Sequence, residues 1–143
     1  MKATVLLKRQ HREVERLFSA ALKAKDAKTR RATMDEITKA LEHHTEIEET
    51  IFYPAVREIG TQKAEDMVGE AFEEHHVVKL VLAELPKLEP DAENFEAKMT
   101  VLKELVGHHV EEEENEMFPM AEKRLGDERN VELGNQMAGP MAA

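Results

Sequence analysis

The segment His43-His44-Thr45-Glu46-Ile47-Glu48-Glu49-Thr50-Ile51-Phe52-Tyr53-Pro54 recurs without a gap as His108-His109-Val110-Glu111-Glu112-Glu113-Glu114-Asn115-Glu116-Met117-Phe118-Pro119. Upstream of each copy lies a matching partner: His11 with Val14, Leu17 and Phe18, and His75 with Val78, Val81 and Leu82. Each half therefore reads as a helical hairpin, with one His on its first helix and a His-x-x-x-Glu on its second. A repeat of this kind restricts the chain to folds in which two hairpins share one core.

Apolar residues recur at helical spacing in four segments. The first runs from about Thr4 to Lys25, with Leu7, Val14, Leu17, Phe18 and Ala21 on one face. The second begins between Asp26 and Thr33. Thr33 and Glu36 have capping-box spacing, and Asp26 is the alternative cap. Its stripe is Met34, Ile37, Leu41, Ile51 and Ala55, and Gly60 stops it. The third spans about Thr61 to Glu84, carries Met67, Phe72, Val78, Leu82 and Leu85, and is broken by Pro86 and Pro90. Asp91 can cap the fourth, whose stripe is Phe95, Met99, Leu102, Val106 and Met117 and which fades near Gly126.

Trp is absent and aromatics are only 4% of a chain rich in Ala, Leu, Glu, Lys and Met, which favours helices over strands. The reading is an all-α, up-down-up-down four-helix bundle over residues 1–126. Residues 127–143, with Gly134, Gly139 and Pro140 and no sustained period, read as a loosely packed or extended C-terminal tail. The length of 143 residues suits a single core.

The most informative residues are polar ones on the apolar face. In the second helix Ile37, Leu41, His44, Glu48, Ile51 and Ala55 follow a 4-3-4-3-4 rhythm, so His44 and Glu48 lie within the stripe. In the fourth, His109 and Glu113 take the same places between Val106 and Met117. His11 lies between Leu7 and Val14, and His75 between Phe72 and Val78. Leaving a buried carboxylate ionised and unpaired costs several kcal/mol. Two of them with four imidazoles would overwhelm a domain whose stability is about 5–15 kcal/mol. A pair of metal ions resolves this: imidazole nitrogens and carboxylate oxygens suit iron, and the i,i+4 spacing brings both side chains of one helix to one site.

A lone His on such a stripe is usually a satisfied core residue, but six positions related by a repeat are poorly explained that way. His43, His76 and His108 each sit about 100° away from a nominated His and belong on the flank. Of the acidic runs 46–49 and 111–116, only Glu48 and Glu113 point inward; the rest read as solvated faces. The Met residues read as core fillers.

The net charge of −10 argues against nucleic acid and against anionic membrane surfaces as partners. The absence of Cys removes disulfides, thiolate zinc sites and iron–sulfur clusters. Val5-Leu6-Leu7 before Lys8-Arg9 is too short for a signal sequence, and no run approaches transmembrane length, so a cytoplasmic location is expected.

His44-x-x-x-Glu48-Glu49 followed by Phe52-Tyr53-Pro54, His109-x-x-x-Glu113-Glu114 followed by Phe118-Pro119, Glu74-His75 and His11 together resemble the hemerythrin-like HHE cation-binding family. The resemblance covers roughly Leu6 to Leu125. It implies two non-haem irons with a bridging oxo or hydroxo group, held by His11, His44, His75 and His109 as terminal ligands and by Glu48 and Glu113 as bridges. It further implies dioxygen or another small diatomic or peroxide as partner, with a redox partner unspecified. Relatives of this kind include oxygen carriers, oxygen or iron sensors, and proteins handling peroxide or nitric oxide. One departure stands out: oxygen-carrying members have a fifth His one turn after the ligand on the third helix, where this chain has Lys79. Glu15, the counterpart of Lys79 in the first half, is a candidate to fill one open position, with a surface salt bridge as the alternative.

Overall fold

Four antiparallel rods make up the molecule, described over residues 1–139 in a computed structural model. The first rod is α1 (Ala3–Lys23). The second joins α2 (Ala27–Ile47), a π-helical turn (Glu48–Phe52) and the short α3 (Tyr53–Arg57). The third is α4 (Gln62–Glu84), followed by a 3₁₀ turn (Leu85–Lys87). The fourth joins α5 (Glu93–Glu112), a second π-helical turn (Glu113–Met117) and α6 (Phe118–Ala138). No strand occurs among the described residues, and none of their helices is long and apolar enough to cross a membrane.

Local chemistry sets where the rods begin. The Asp26 carboxylate accepts from the Thr29 N–H at 2.8 Å and so caps α2. Thr33 is already inside the helix, its hydroxyl donating to the Thr29 carbonyl. Thr61 caps α4 through its hydroxyl, which accepts from the Ala64 N–H at 3.2 Å. α5 begins after Ala92 with no side-chain cap, so Asp91 does not serve as the expected one.

The two π-helical turns trace to Pro54 and Pro119. Proline has no N–H, so the carbonyl four residues before it loses its usual helical donor. The chain widens instead into i→i+5 hydrogen bonding: the Tyr53 N–H donates to the Glu48 carbonyl, and the Phe118 N–H to the Glu113 carbonyl. One extra residue per turn advances the buried face. Phe52 and Tyr53 are consequently buried, while Ile51, expected in the stripe, is only half-buried.

The apolar residues form two clusters with the polar side chains between them. One gathers Leu7, Phe52, Tyr53, Val68, Met117, Phe118 and Leu133. The other gathers Val14, Phe18, Met34, Ile37, Leu41, Val78, Phe95 and Leu102. Each large side chain so buried contributes about 1.5–3 kcal/mol. In α4 the buried rhythm is Ala64, Val68, Ala71, His75, Val78 and Leu82, and the bulkier Met67 and Phe72 pack at its flanks.

The C-terminal reading needs correction. Asp127 to Ala138 is helical, continuing α6 beyond a kink at Gly126, whose φ of +83° only glycine adopts freely. Asn130, Leu133, Gly134 and Met137 are buried against the start of α1. They follow i, i+3, i+4, i+7 spacing, but two of the four are Asn and Gly, so hydropathy hides the stripe. The Asn130 Oδ1 accepts from the otherwise free Thr4 N–H at 3.2 Å, while its Nδ2 donates to the Thr4 hydroxyl. A Cβ on Gly134 would stand 1.9 Å from the Met1 carbonyl oxygen, so only glycine lets the N-terminus pass. The remainder of the expected tail, residues 140–143, lies outside the described residues.

Candidate metal centre

Each rod turns one imidazole into the gap between the two apolar clusters: His11 from α1, His44 from α2, His75 from α4 and His109 from α5. Glu48 and Glu113, the first residues of the two π-helical turns, enter from the second and fourth rods. All six are buried, Glu48 completely. His43, His76 and His108 lie on the exposed surface.

The six converge as two overlapping groups of donors. His11, His44, Glu48 and Glu113 form one, and Glu48, His75 and His109 the other, with donor atoms in each within 4.8 Å of one another. Glu48 belongs to both. Glu113 also spans them, its Oε1 lying 3.1 Å from His11 Nε2 and its Oε2 3.3 Å from His109 Nε2.

The imidazoles are oriented from behind. Each turns Nε2 inward and gives Nδ1 to an oxygen acceptor: His11 to Glu114 at 2.7 Å, His44 to Gln10 at 2.6 Å, His75 to Glu49 at 2.8 Å and His109 to Glu74 at 2.6 Å. An oxygen partner at Nδ1 requires the N–H there, which leaves the Nε2 lone pair facing the centre, the tautomer that binds metals. The arrangement repeats between halves. The residue after each inward Glu holds the His of the neighbouring hairpin, and the residue before each first-helix His holds the other His of its own hairpin. Glu49 is backed in turn by Lys79 at 2.8 Å, and Glu114 by Arg12.

The donor set fits metal ions on two counts. His44 Nε2 and Glu48 Oε2 are buried polar atoms without a hydrogen-bond partner in the protein, a condition costing about 1–3 kcal/mol each unless something satisfies them. His75 Nε2 and His109 Nε2 face each other at 3.1 Å, where two lone pairs repel unless a proton or a cation stands between. Burial alone would lower the His109 pKa, but the charge of Glu113 and hydrogen bonds to Glu113, Glu48 and Glu74 raise it well above 6.5. His11 is raised too, its interactions with Glu113, Glu48 and Glu114 outweighing burial. For Glu48, burial pushes the carboxyl up, yet the charge of His44 and surrounding hydrogen bonds hold it well below its ordinary value.

Tyr53 is a further member that periodicity missed. Its hydroxyl lies 2.6 Å from Glu113 Oε2, 3.1 Å from Glu48 Oε1, and 3.1 Å from the Nε2 atoms of both His75 and His109. Burial, followed by the Glu48 and Glu113 charges, pushes the phenol well above its ordinary pKa of 10.0. In the repeat Tyr53 aligns with Phe118, whose ring stacks on His11 at 5.7 Å. One half thus offers a phenol where the other offers a phenyl. A regular α-helix from Glu48 would turn Tyr53 aside, and the π-helical turn swings it in; Tyr53-Pro54 after His-x-x-x-Glu was the available signal.

Glu15 is elsewhere. It is exposed and paired with Arg12 at 2.5 Å, so the salt-bridge alternative holds and Glu15 does not reach the centre. Glu49 and Glu114 are also corrected: they are half-buried and bonded to histidines rather than solvated.

Two small cavities adjoin the centre. One lies on the imidazole side, lined by the four histidines with Val14, Leu41, Val78 and Val106, and has room for about one water-sized molecule (about 20 Å³). The other, about 50 Å³, reaches His109 and Glu113 and is lined by Glu70, Glu74, Glu112 and Glu116.

Comparison with known proteins places these features in context. The family model for the hemerythrin HHE cation-binding domain matches residues 2–121. A crystal structure of an HHE cation-binding domain protein from Mycobacterium kansasii superposes with a TM-score of 0.85 at 28% identity, over 99% of this chain and 86% of that one. A DNA nickase of Nostoc is 27% identical over 92% of this chain but only 36% of its own length. A hemerythrin-like protein of Schizosaccharomyces pombe is 24% identical over 89% of this chain and 63% of its own. This chain thus spans about a third of the first of these relatives and under two thirds of the second.

Proposed function

Because the chain belongs to the hemerythrin HHE cation-binding domain family, we propose that it is a non-haem di-iron protein that binds dioxygen or a related small ligand at the His/Glu centre. The carrying observation is the convergence of His11, His44, His75, His109, Glu48 and Glu113 from four rods, every Nε2 facing inward, with His44 Nε2 and Glu48 Oε2 left without a hydrogen-bond partner in the protein. An iron pair supplies one-electron redox couples and an open coordination position for a diatomic or peroxidic ligand. His11 and His44 would hold one ion and His75 and His109 the other, with Glu48 and Glu113 shared and a solvent-derived oxygen between the ions.

The surrounding residues support a small ligand. Val14, Leu41, Val78 and Val106 keep the imidazole side apolar, with space for a molecule the size of dioxygen. Counting donors, the His75/His109 side has the Tyr53 hydroxyl in addition to its histidines and the shared carboxylates, and the His11/His44 side has the Phe118 ring instead. An ion held by His11 and His44 would therefore lack the extra oxygen that Tyr53 offers beside His75 and His109.

A second reading, an enzyme acting on peroxide or nitric oxide, is favoured by Tyr53. Its hydroxyl donates to Glu113 Oε2 at 2.6 Å and lies 3.1 Å from Glu48 Oε1, so it would hold a proton beside a ligand bound near the two carboxylates. Anaerobic purification, iron quantification and optical spectra before and after oxygen or peroxide separate the readings. Reversible carriage predicts about two irons per chain and charge-transfer absorption that returns on deoxygenation. Enzyme action predicts turnover that disappears in Glu113→Ala and His109→Ala. Protein purified anaerobically without iron, and taking up none, would overturn both.

A further inference from the structure

The internal repeat allows each half of the centre to be compared with the other, and three differences all point the same way. Gln10 and Glu74 occupy equivalent places, each just before an inward His and each accepting from the Nδ1 of the next rod's His at 2.6 Å. The first is a neutral amide and the second a carboxylate, so His109 has an anion behind it and His44 has not. Such a carboxylate makes the imidazole a stronger donor, and partners of this kind are worth about 10–100-fold in metal affinity. The other pair of supports does not distinguish the halves, since Glu49 is balanced by Lys79 and Glu114 by Arg12.

Tyr53 against Phe118 is the second difference: only the His75/His109 side has an extra oxygen among its donors. The third is access. The cavity that reaches His109 and Glu113 is walled by Glu70, Glu74, Glu112 and Glu116. Their counterparts in the first half are Leu6, Gln10, Ile47 and Ile51, and the three aliphatic ones pack into an apolar cluster. A fold needing only structural closure would use the aliphatic version twice. Four carboxylates at one corner attract cations and lower the barrier to their entry there.

We infer that the two metal positions are unequal, the one between His75 and His109 taking up its cation first and holding it more tightly than the one between His11 and His44, with Glu74 as the positioning residue that sets the difference. This rests on the di-metal reading above and adds an order of filling to it.

The chain contains one Tyr and no Trp, and the Tyr53 hydroxyl lies 3.1 Å from the Nε2 atoms of both His75 and His109, so near-ultraviolet difference absorption of Tyr53 reports most directly on the position between them. The experiment is an anaerobic titration of the metal-free full chain with cobalt(II), following Tyr53 absorption and the cobalt ligand-field bands together. The Tyr53 change should be complete after the first equivalent, while the cobalt bands keep growing through the second. A Tyr53 change spread evenly over two equivalents, or arriving only with the second, overturns the inference. In Glu74→Gln, chelator competition should show the tighter ion weakened about 10–100-fold and the looser one unchanged, with Glu74→Asp recovering part of the loss. The exchange variant Gln10→Glu/Glu74→Gln should postpone the Tyr53 change toward the second equivalent, and an unmoved change would also overturn the inference. Two ions bound with equal affinity would sink this order of filling but leave the di-metal reading intact. Failure to bind either cobalt or iron would sink both.

Discussion

The Tyr53 hydroxyl donates to the Glu113 carboxylate at 2.6 Å, linking the end of one π-helical turn to the start of the other across the middle of the bundle. The contact depends on the extra residue that each turn inserts before its proline. It gives the centre a phenol on one side only, and that asymmetry leads to the first prediction.

Tyr53→Phe makes the His75/His109 side resemble the His11/His44 side, where the Phe118 ring stands. The buried Glu113 carboxylate loses its phenolic donor, so the metal-free protein should lose about 1–3 kcal/mol in chemical denaturation. The six His and Glu donors are untouched, so iron content should stay near the wild-type value while the visible spectrum changes. A spectrum identical to wild type would place Tyr53 outside the coordination chemistry.

Metal-free and metal-loaded protein should respond to pH in opposite senses. His11 and His109 have folded pKa values raised above 6.5, so their stabilisation is complete below that pH and is lost as pH rises through the folded values. Glu48 is held below its ordinary 4.5, so its contribution is present above 4.5 and is lost as pH falls through the folded value. The metal-free protein should thus be most stable between about 4.5 and 6.5. Metal ligation needs unprotonated Nε2 atoms, so stabilisation by metal grows with pH. Melting temperatures of the two forms should diverge from pH 6 to pH 8; a constant or shrinking gap would contradict the assignment.

Gly134→Ala forces a methyl group into the Met1 and Lys2 backbone, which cannot yield as a flexible side chain would. The expected cost is about 1–3 kcal/mol, read as a lower denaturation midpoint. Amide exchange at Thr4, whose N–H bonds Asn130, should accelerate as α6 separates from α1. Unchanged stability would mean that the α1–α6 contact is dispensable.

Glu15→Ala should leave metal content and optical spectrum unchanged, because the residue pairs with Arg12 on the surface. Its effect on stability should lie within about 1 kcal/mol, the usual range for an exposed ion pair. A loss of one metal per chain would restore Glu15 as a ligand.

The helical periods and the His-x-x-x-Glu repeat were legible because both are local: side-chain direction follows from 3.6 residues per turn, and a polar group on an apolar stripe betrays itself. On that basis alone the sequence determined the bundle, the four inward histidines and the two inward glutamates. Tyr53, Glu49, Glu74, Glu114 and the packed C-terminal segment depended on tertiary structure. Tyr53 turns inward only because a missing proline N–H widens the helix, and Glu49, Glu74 and Glu114 acquire their roles from histidines on other rods. The Asn130–Gly134 face is a core face only because the N-terminus of α1 comes to lie against it. A regular helix can be read one residue at a time, whereas a changed register or a contact between distant rods exists only once the chain has folded.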